Sequence, residues 1–424
     1  MRTLVRATGI LAILAIPALC QPAPKPLTLD DCIRLAQSAQ STVSLARQQT
    51  EIARYGITQA RANFLPQGSI GNVYTYNSPL LNDRQTFSFI ALNGIREYSS
   101  LASVGVEIDT SGRLRAQLAR ARADQDAAGA NLGITERDLR RAVIAAYYRL
   151  LLARRLVQVE RDTLAEAQSF EKRTRLLFQN GEAAQADVVK ASAQVAFLEQ
   201  AVNTAELDAR LANHQLASFW TSNVADPLLL VDVLDEPPPQ PEPPAGTPFM
   251  RRLEFRLLDA QRLGFLADAR RARADRLPQL SLATEYGIDS THVRIRDRGY
   301  ASFVHLNIPV FDWFRARSAS RQFRLQAQQV ETSRNIAERT FSKDYRDALA
   351  RVESLYSQIE IADRQARLSE DNLRLSRVRY EGGEGLALDV VAAQSQVAQA
   401  RANYFSAKTN YLNARADLEV ASGR

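Results

Sequence analysis

The chain has 424 residues, of which 54 are lysine or arginine and 47 are aspartate or glutamate, so its formal net charge is +7. Basic residues are interspersed with acidic ones, which argues against a nucleic-acid-binding surface and favours solvated helix faces. Only 18 glycines, 16 prolines and two cysteines occur. A disulfide framework is therefore excluded, and the scarcity of turn-forming residues predicts very long elements.

The first 20 residues have the pattern of a secretory signal. Arg2 and Arg6 precede an apolar run that ends at Leu19, so we predict that residues 1–20 are removed and that the mature protein is exported. Cys20 could carry a lipid, but a leucine precedes it where lipoprotein sites favour a small residue, and we prefer the unlipidated form. No later stretch reaches about 18 uninterrupted apolar residues, so a membrane role would have to use strands.

The sequence contains an internal duplication, which defines its organisation. The pattern Gly181-Glu182 followed by Asp187-Val188-Val189 recurs 202 positions later as Gly383-Glu384 followed by Asp389-Val390-Val391. A proline-rich segment at 235–247 separates the copies and predicts an extended linker. We therefore predict a first structural repeat at 21–234 and a second at 248–424, each with one helix, two strands and two long helices.

Each repeat begins with a predicted helix. Thr28 and Asp31 form a candidate capping box, and Thr247 followed by Pro248 places a cap residue before a proline at the first helical position. A stripe of apolar residues at spacings of three, four or seven then predicts one continuous helix in the first repeat. Pro66 ends this helix, because proline disfavours helical backbone in the residue before it.

The period of the apolar pattern changes to two after the first helix of each repeat, which predicts four strands in all. Apolar residues alternate with polar ones in all four segments: Ile70, Tyr74 and Tyr76; Ala102, Val104, Val106 and Ile108; Leu280, Leu282, Tyr286 and Ile288; Val304, Leu306, Ile308 and Val310. Such strands suit a transmembrane barrel or a soluble sandwich, and export favours the barrel. Four strands cannot close a barrel, so it would have to be shared between chains.

Helical periodicity then resumes over unusually long segments. The first predicted rod runs from Arg113 to Gln179, on the order of 100 Å at about 1.5 Å per residue. A second rod follows Gly181, and alanines along its seam predict close packing of antiparallel helices. The same spacings recur after Gly383.

These features together resemble the TolC-type outer-membrane efflux protein family. The likeness covers the mature chain and rests on the paired exits Leu65-Pro66-Gln67 and Leu277-Pro278-Gln279, on Ser111-Gly112-Arg113, and on Tyr380-Glu381-Gly382-Gly383. The resemblance implies a mainly α protein with a membrane β part. Long antiparallel coiled-coil helices would form a periplasmic α-barrel, and four strands per protomer would join a shared 12-stranded trimeric β-barrel.

The resemblance also implies a function and partners. The protein would be the outer-membrane channel of a tripartite efflux or type I secretion system, a passive homotrimeric duct without enzymatic activity or cofactor. It would contact outer-membrane lipid, a periplasmic adaptor protein and an inner-membrane pump, and it would not bind nucleic acid. The sequence leaves the transported substrate and the class of pump open.

The site residues implied by the resemblance lie at the ends of the long helices. Asp187 and Asp389 match acidic residues that can ring the pore, and six carboxylates would meet in a trimer. The alternative role for each is an acid in the first turn of a helix, where it favours the helix dipole. Four further residues match the surface that contacts an adaptor, with turn and cap roles as the alternative: Phe178, Gly181, Tyr380 and Gly383.

Other kinds of site have little support in the sequence. The three histidines, His214, His292 and His305, lack the spacing of a metal site, and motifs for phosphate binding, nucleophilic catalysis or zinc proteolysis do not occur. Gly385 stands where an arginine can help to lock a closed channel end in the family.

The competing functional class is an exported periplasmic coiled-coil scaffold without channel activity.

Overall fold

A computed structural model describes residues 26–80, 83–88, 94–241 and 246–423. The predicted signal segment at 1–20 and Cys20 lie outside these residues, as does part of the predicted linker.

The first repeat opens with two helices, α1 (Leu29–Ser38) and α2 (Thr42–Ala62). The predicted capping box is confirmed, since the Asp31 N–H donates to Thr28 Oγ1 at 3.2 Å and the Thr28 N–H donates to Asp31 Oδ2 at 3.1 Å. The prediction of one continuous helix is wrong. Serine hydroxyls at the break compete for backbone groups: Ser38 Oγ donates to the Leu35 carbonyl and Ser44 Oγ to the Ser41 carbonyl.

The second repeat opens differently from the prediction. Pro248–Arg251 form a single 3-10 turn, and α5 (Leu253–Ala274) begins after Arg252. Thr247 makes no side-chain cap hydrogen bond, so the predicted cap is wrong. The 3-10 turn is instead held by the burial of Pro248 and Phe249.

Four antiparallel strands form one sheet in the order β1-β4-β5-β6, which confirms that there are four strands. The fourth is shorter than predicted, because it ends at Asn307, before Ile308 and Val310. A short hairpin that the alternation did not predict lies between the first two. The strands are β1 (Gln67–Tyr76), β2 (Pro79–Leu80), β3 (Asp83–Ser88), β4 (Arg96–Ile108), β5 (Gln279–Ser290) and β6 (Arg298–Asn307).

The register of the sheet keeps even-numbered residues opposite even-numbered ones in all three strand pairs. One row across the sheet is Ile70, Ala102, Tyr286 and Tyr300, and the neighbouring odd-numbered row is Ser69, Ser103, Glu285 and Ala301. Because side chains alternate between faces along a strand, the sheet has one apolar and one mainly polar face.

Two hairpins of long helices extend from the sheet. The first consists of α3 (Arg113–Gln179) and α4 (Gln185–Ala217), and the second of α6 (Arg315–Glu381) and α7 (Ala387–Ala421). Helices α3 and α6 each have 67 residues, or about 100 Å. The bounds predicted for α3 are confirmed. Among the described residues, no helix has an apolar segment long enough to cross a membrane.

The main core lies where α1, α3 and α4 meet the chain that leads into the linker. Cys32, Tyr147, Leu150, Leu216 and Leu234 are buried there. The Tyr147 hydroxyl donates to the Val231 carbonyl at 2.6 Å. Burial raises the pKa of the Cys32 thiol to about 11, so this predicted buried cysteine stays protonated at neutral pH.

Candidate pore constriction and adaptor surface

The two hairpins turn at the ends of α3 and α6 with the same hydrogen-bonding pattern. Gly181 and Gly383 have φ values of 82° and 77°, which glycine adopts without a Cβ clash. Each glycine N–H donates to the carbonyl three residues earlier, and the N–H of the following glutamate donates to the carbonyl five residues earlier. This is a Schellman ending, and it turns the chain into α4 or α7.

The second turn is tighter than the first. The Gly385 N–H donates to the Arg379 carbonyl at 3.1 Å, and a Cβ at Gly385 would lie 3.0 Å from the Tyr380 backbone nitrogen. A larger side chain would push these backbone segments apart. The close approach explains why this position holds a glycine.

The two candidate pore carboxylates lie in the first turns of α4 and α7. Asp389 accepts a 3.4 Å hydrogen bond from the Leu386 N–H, and Asp187 lies 3.7 Å from Lys190 Nζ. Gln194 Nε2 donates to Ser395 Oγ at 3.1 Å about two turns further along, so α4 and α7 run side by side here. Both aspartates therefore lie at the same end of the helical bundle.

A small apolar core joins all four long helices near this end. Its buried members are Phe170, Ala191, Tyr380, Ala387 and Val390. The rings of Phe170 and Tyr380 lie 5.2 Å apart between centroids. This core, which brings α3 and α6 together, holds the two turns in fixed relative positions.

The four candidate adaptor-contacting residues divide into two groups. Gly181 and Gly383 are exposed, and Phe178 is 41% exposed although its side chain is apolar. Tyr380 is only 9% exposed, and its hydroxyl has no hydrogen-bond partner among the described residues. The first three therefore lie at the surface, whereas Tyr380 lies beneath it.

Two ion pairs that the sequence did not indicate link the hairpins near the turns. Arg173 of α3 pairs with Glu381 of α6, and Arg377 of α6 pairs with Glu166 of α3. The partners are more than 200 positions apart, so no local pattern could have revealed them. Each pair is partly exposed and is worth about 0–1 kcal/mol, so the ion pairs add little to the contact that the apolar core makes.

Within the described ranges, no three His, Cys, Asp or Glu side chains lie close enough together to hold a metal ion.

Known proteins share this architecture along nearly the whole chain. The CmeC outer membrane channel of Campylobacter jejuni superposes with a TM-score of 0.83 at 16% identity, over 93% of this chain and 85% of that one. The open-state MtrE outer membrane channel of Neisseria gonorrhoeae superposes with a TM-score of 0.81 at 22% identity, over 93% and 88%. The fold is therefore that of TolC-type channels.

The sequence also matches known proteins. Nodulation protein T of Rhizobium leguminosarum bv. viciae is 23% identical over 411 residues, which cover 93% of this chain and 81% of the relative. The family model for outer membrane efflux proteins matches residues 32–221 and 251–424. Because these ranges include most of both repeats, the chain belongs to the outer membrane efflux protein family.

Proposed function

We propose that three copies of the chain form a passive export duct. Their sheets join into a 12-stranded barrel in the outer membrane, and their long helices form a tunnel that extends into the periplasm. The duct is the outer-membrane part of a tripartite efflux or type I secretion system. An inner-membrane pump supplies the energy, and a periplasmic adaptor protein connects the pump to the duct.

The sheet provides the observation that carries this proposal. Its apolar face is exposed in the single chain, with Ile70, Tyr300 and Val304 among its most accessible side chains. The strands have 10 to 13 residues, close to the 9–11 or so that cross a bilayer when tilted. Strands β1 and β6 are edges with unpaired backbone groups, which a membrane does not tolerate unless neighbouring copies pair with them.

The turns supply the proposed control of the duct. Asp187 and Asp389 share one end of the molecule, so three copies would bring six carboxylates around the axis. A ring of carboxylates attracts cations and disfavours anions. In this role Asp389 is held by its hydrogen bond from the Leu386 N–H and Asp187 by its ion pair with Lys190.

The exposed surface beside these turns is the proposed contact site for the adaptor. Phe178 offers an apolar side chain at a helix end, and Gly181 and Gly383 leave the backbone accessible. Tyr380 supports this surface through its packing on Phe170.

The test is conductance in planar lipid bilayers. The purified mature protein should form discrete channels that prefer cations. The double variant Asp187→Asn with Asp389→Asn should show a clearly lower cation preference, because it removes the six carboxylates and keeps the side-chain size. The matched control is Asp347→Asn with Asp363→Asn, which removes the same charge from exposed ion pairs within α6.

The outcomes separate the parts of the proposal. If the double variant at Asp187 and Asp389 forms channels with unchanged cation preference, the duct is retained and the carboxylate ring is refuted. A folded protein that stays out of membrane fractions, forms no heat-sensitive trimer and gives no conductance would refute the duct in favour of a periplasmic coiled-coil scaffold.

A further inference from the structure

A cavity of about 520 Å³ lies between the last turn of α5 and the first turns of α6. Five arginines line it: Arg273, Arg276, Arg317, Arg321 and Arg324. The other lining residues are uncharged, so the lining carries positive charge alone, and the neighbouring acid Asp275 lies outside it. Arg276 precedes β5 by three residues and Arg317 follows the start of α6, which puts the cavity at the boundary between helices and sheet.

These five guanidinium groups have no ion-pair or hydrogen-bond partner in the part of the chain that the structure describes. Elsewhere arginines are commonly paired, as Arg120 is with Asp268 and Arg334 is with Asp259. Asp312, which precedes α6, is engaged by the N–H groups of Phe314 and Ala316. A cluster of five like charges costs free energy unless an anion binds it.

An exposed aromatic segment stands next to the cavity. Phe311, Trp313 and Phe314 are all well exposed, Trp313 at 81%. Trp313 and Phe314 also have positive φ values of 52° and 62°, the only such residues other than glycine in the described chain. Phe314 immediately precedes α6, and the residue that immediately precedes α3 in the first repeat is Gly112, with φ 80°. Strained backbone and exposed aromatic rings together indicate a site kept for an external partner.

We propose that this cavity binds the phosphate of an anionic phospholipid in the leaflet that faces the helical bundle, with the aromatic segment set into the interfacial layer. Aromatic side chains favour that layer, and arginine forks bind phosphate oxygens in pairs. Arg317 and Arg321 lie about 6 to 12 Å along α6 from Trp313, within reach of the headgroups. The site rests on the proposed membrane insertion of the sheet.

The two tryptophans of the chain allow a direct test. Trp220→Phe leaves Trp313 as the only tryptophan, and this protein is reconstituted into vesicles of phosphatidylcholine with a minority of phosphatidylglycerol. Bromine atoms are carried on the chains of one lipid or the other, and their quenching of Trp313 reports which lipid lies beside it. We expect about a fivefold preference for phosphatidylglycerol over its bulk fraction, as basic clusters at membrane surfaces provide.

Substitutions identify the source of the preference. Arg317→Gln with Arg321→Gln and Arg324→Gln should abolish it, while quenching by bulk lipid continues. The matched control is Arg339→Gln with Arg346→Gln and Arg351→Gln, which removes the same charge from exposed, unpaired positions about 40 Å further along α6. This control should keep the preference.

Each remaining outcome decides a different question. Quenching by both lipids in proportion to their amounts would overturn the lipid site and leave membrane insertion intact. Loss of the preference when inorganic phosphate is added would assign the cavity to a soluble anion and also overturn the proposal. If the folded protein gave no conductance and neither lipid quenched Trp313, the proposed function itself would be refuted.

Discussion

Replacing Gly383 and Gly129 by alanine should have opposite effects on stability. Gly383 has a left-handed φ of 77° in the turn after α6. Gly129 lies exposed within α3, where an added Cβ would have no other atom within 4 Å. Gly383→Ala should lower the free energy of unfolding by about 1 kcal/mol, because a Cβ is strained in that conformation. Gly129→Ala should raise it by about 0.5–1 kcal/mol through helix propensity.

Denaturant unfolding of both variants in one detergent checks this pair. Midpoints that move in the same direction would contradict the assignment of the Schellman turn, since the two substitutions add the same methyl group. The glycine was predictable from its place after a long helical pattern. The burial of Tyr380 was not, because it depends on Phe170, which lies 210 positions earlier on another helix.

At the scale of elements, a partly buried cluster joins the two repeats where α5 crosses α3. Glu254 of α5 accepts hydrogen bonds from Arg137 of α3 at 2.9 and 3.1 Å, and from Arg252 at 2.7 and 3.3 Å. The Arg252 guanidinium also lies 3.7 Å from the centroid of the Phe341 ring of α6. The cluster therefore connects three helices.

Because of this cluster, the free energy of unfolding should depend on pH in the acid range. Burial alone would raise the pKa of the Glu254 carboxyl, but the hydrogen bonds from Arg252 and Arg137 outweigh it and lower the pKa from 4.5 to about 2. A depressed pKa stabilises the folded state above the unfolded value, and this stability is lost as pH falls from about 4.5 to about 2. After allowance for solvent exposure it amounts to about 2 kcal/mol.

The substitution Glu254→Gln should therefore destabilise the protein near neutral pH. It should also make the free energy of unfolding change less between pH 2 and pH 5. Unfolding midpoints between pH 2 and pH 7 measure this, with the ordinary glutamate pKa near 4.3 as the reference. Asp138→Asn is the control, because Asp138 also bonds Arg137 but has a 57% exposed side chain. Equal flattening in both variants would show that general charge effects dominate.

Long periodic elements were predictable from sequence, and their interruptions were not. The bounds of α3 follow from a pattern that persists over 67 residues. The break between α1 and α2 occurs while the apolar stripe continues from Ala36 to Val43, both buried. At this break the hydroxyl groups of Ser38 and Ser44 donate to backbone carbonyls. Such hydrogen bonds compete with the helix by small free-energy differences, which a sequence pattern does not reveal. The 3-10 turn before α5 depends instead on the burial of Pro248 and Phe249, which is a tertiary contact.

At the scale of the whole molecule, the duplication produces two similar hairpins, which meet near their turns through the apolar core around Tyr380 and through polar contacts. The sequence located both turns and their acidic residues, because each turn leaves a local signature. It could not reveal how α3 meets α6, since that interface is formed by residues far apart in the chain. Between α3 and α6 themselves, the contacts near the turns include one aromatic pair and two partly exposed ion pairs.

The two ion pairs between α3 and α6 should influence how readily the end of the duct opens. The substitutions Glu166→Gln and Glu381→Gln remove both ion pairs and leave the Phe170 and Tyr380 packing in place. Each pair is worth about 0–1 kcal/mol, so their joint loss should raise the ratio of open to closed channels by up to about thirtyfold per chain. Single-channel recording at fixed voltage and salt measures this change.

Charge loss alone has to be separated from loss of the contact. Asp347→Asn with Asp371→Asn removes the same charge from α6 but breaks ion pairs within that helix, with Lys343 and Arg374. This control should leave the open probability unchanged. If both double variants opened the channel equally, the electrostatic field of the lumen would be responsible. If neither did, the apolar core around Tyr380 alone would hold the hairpins together.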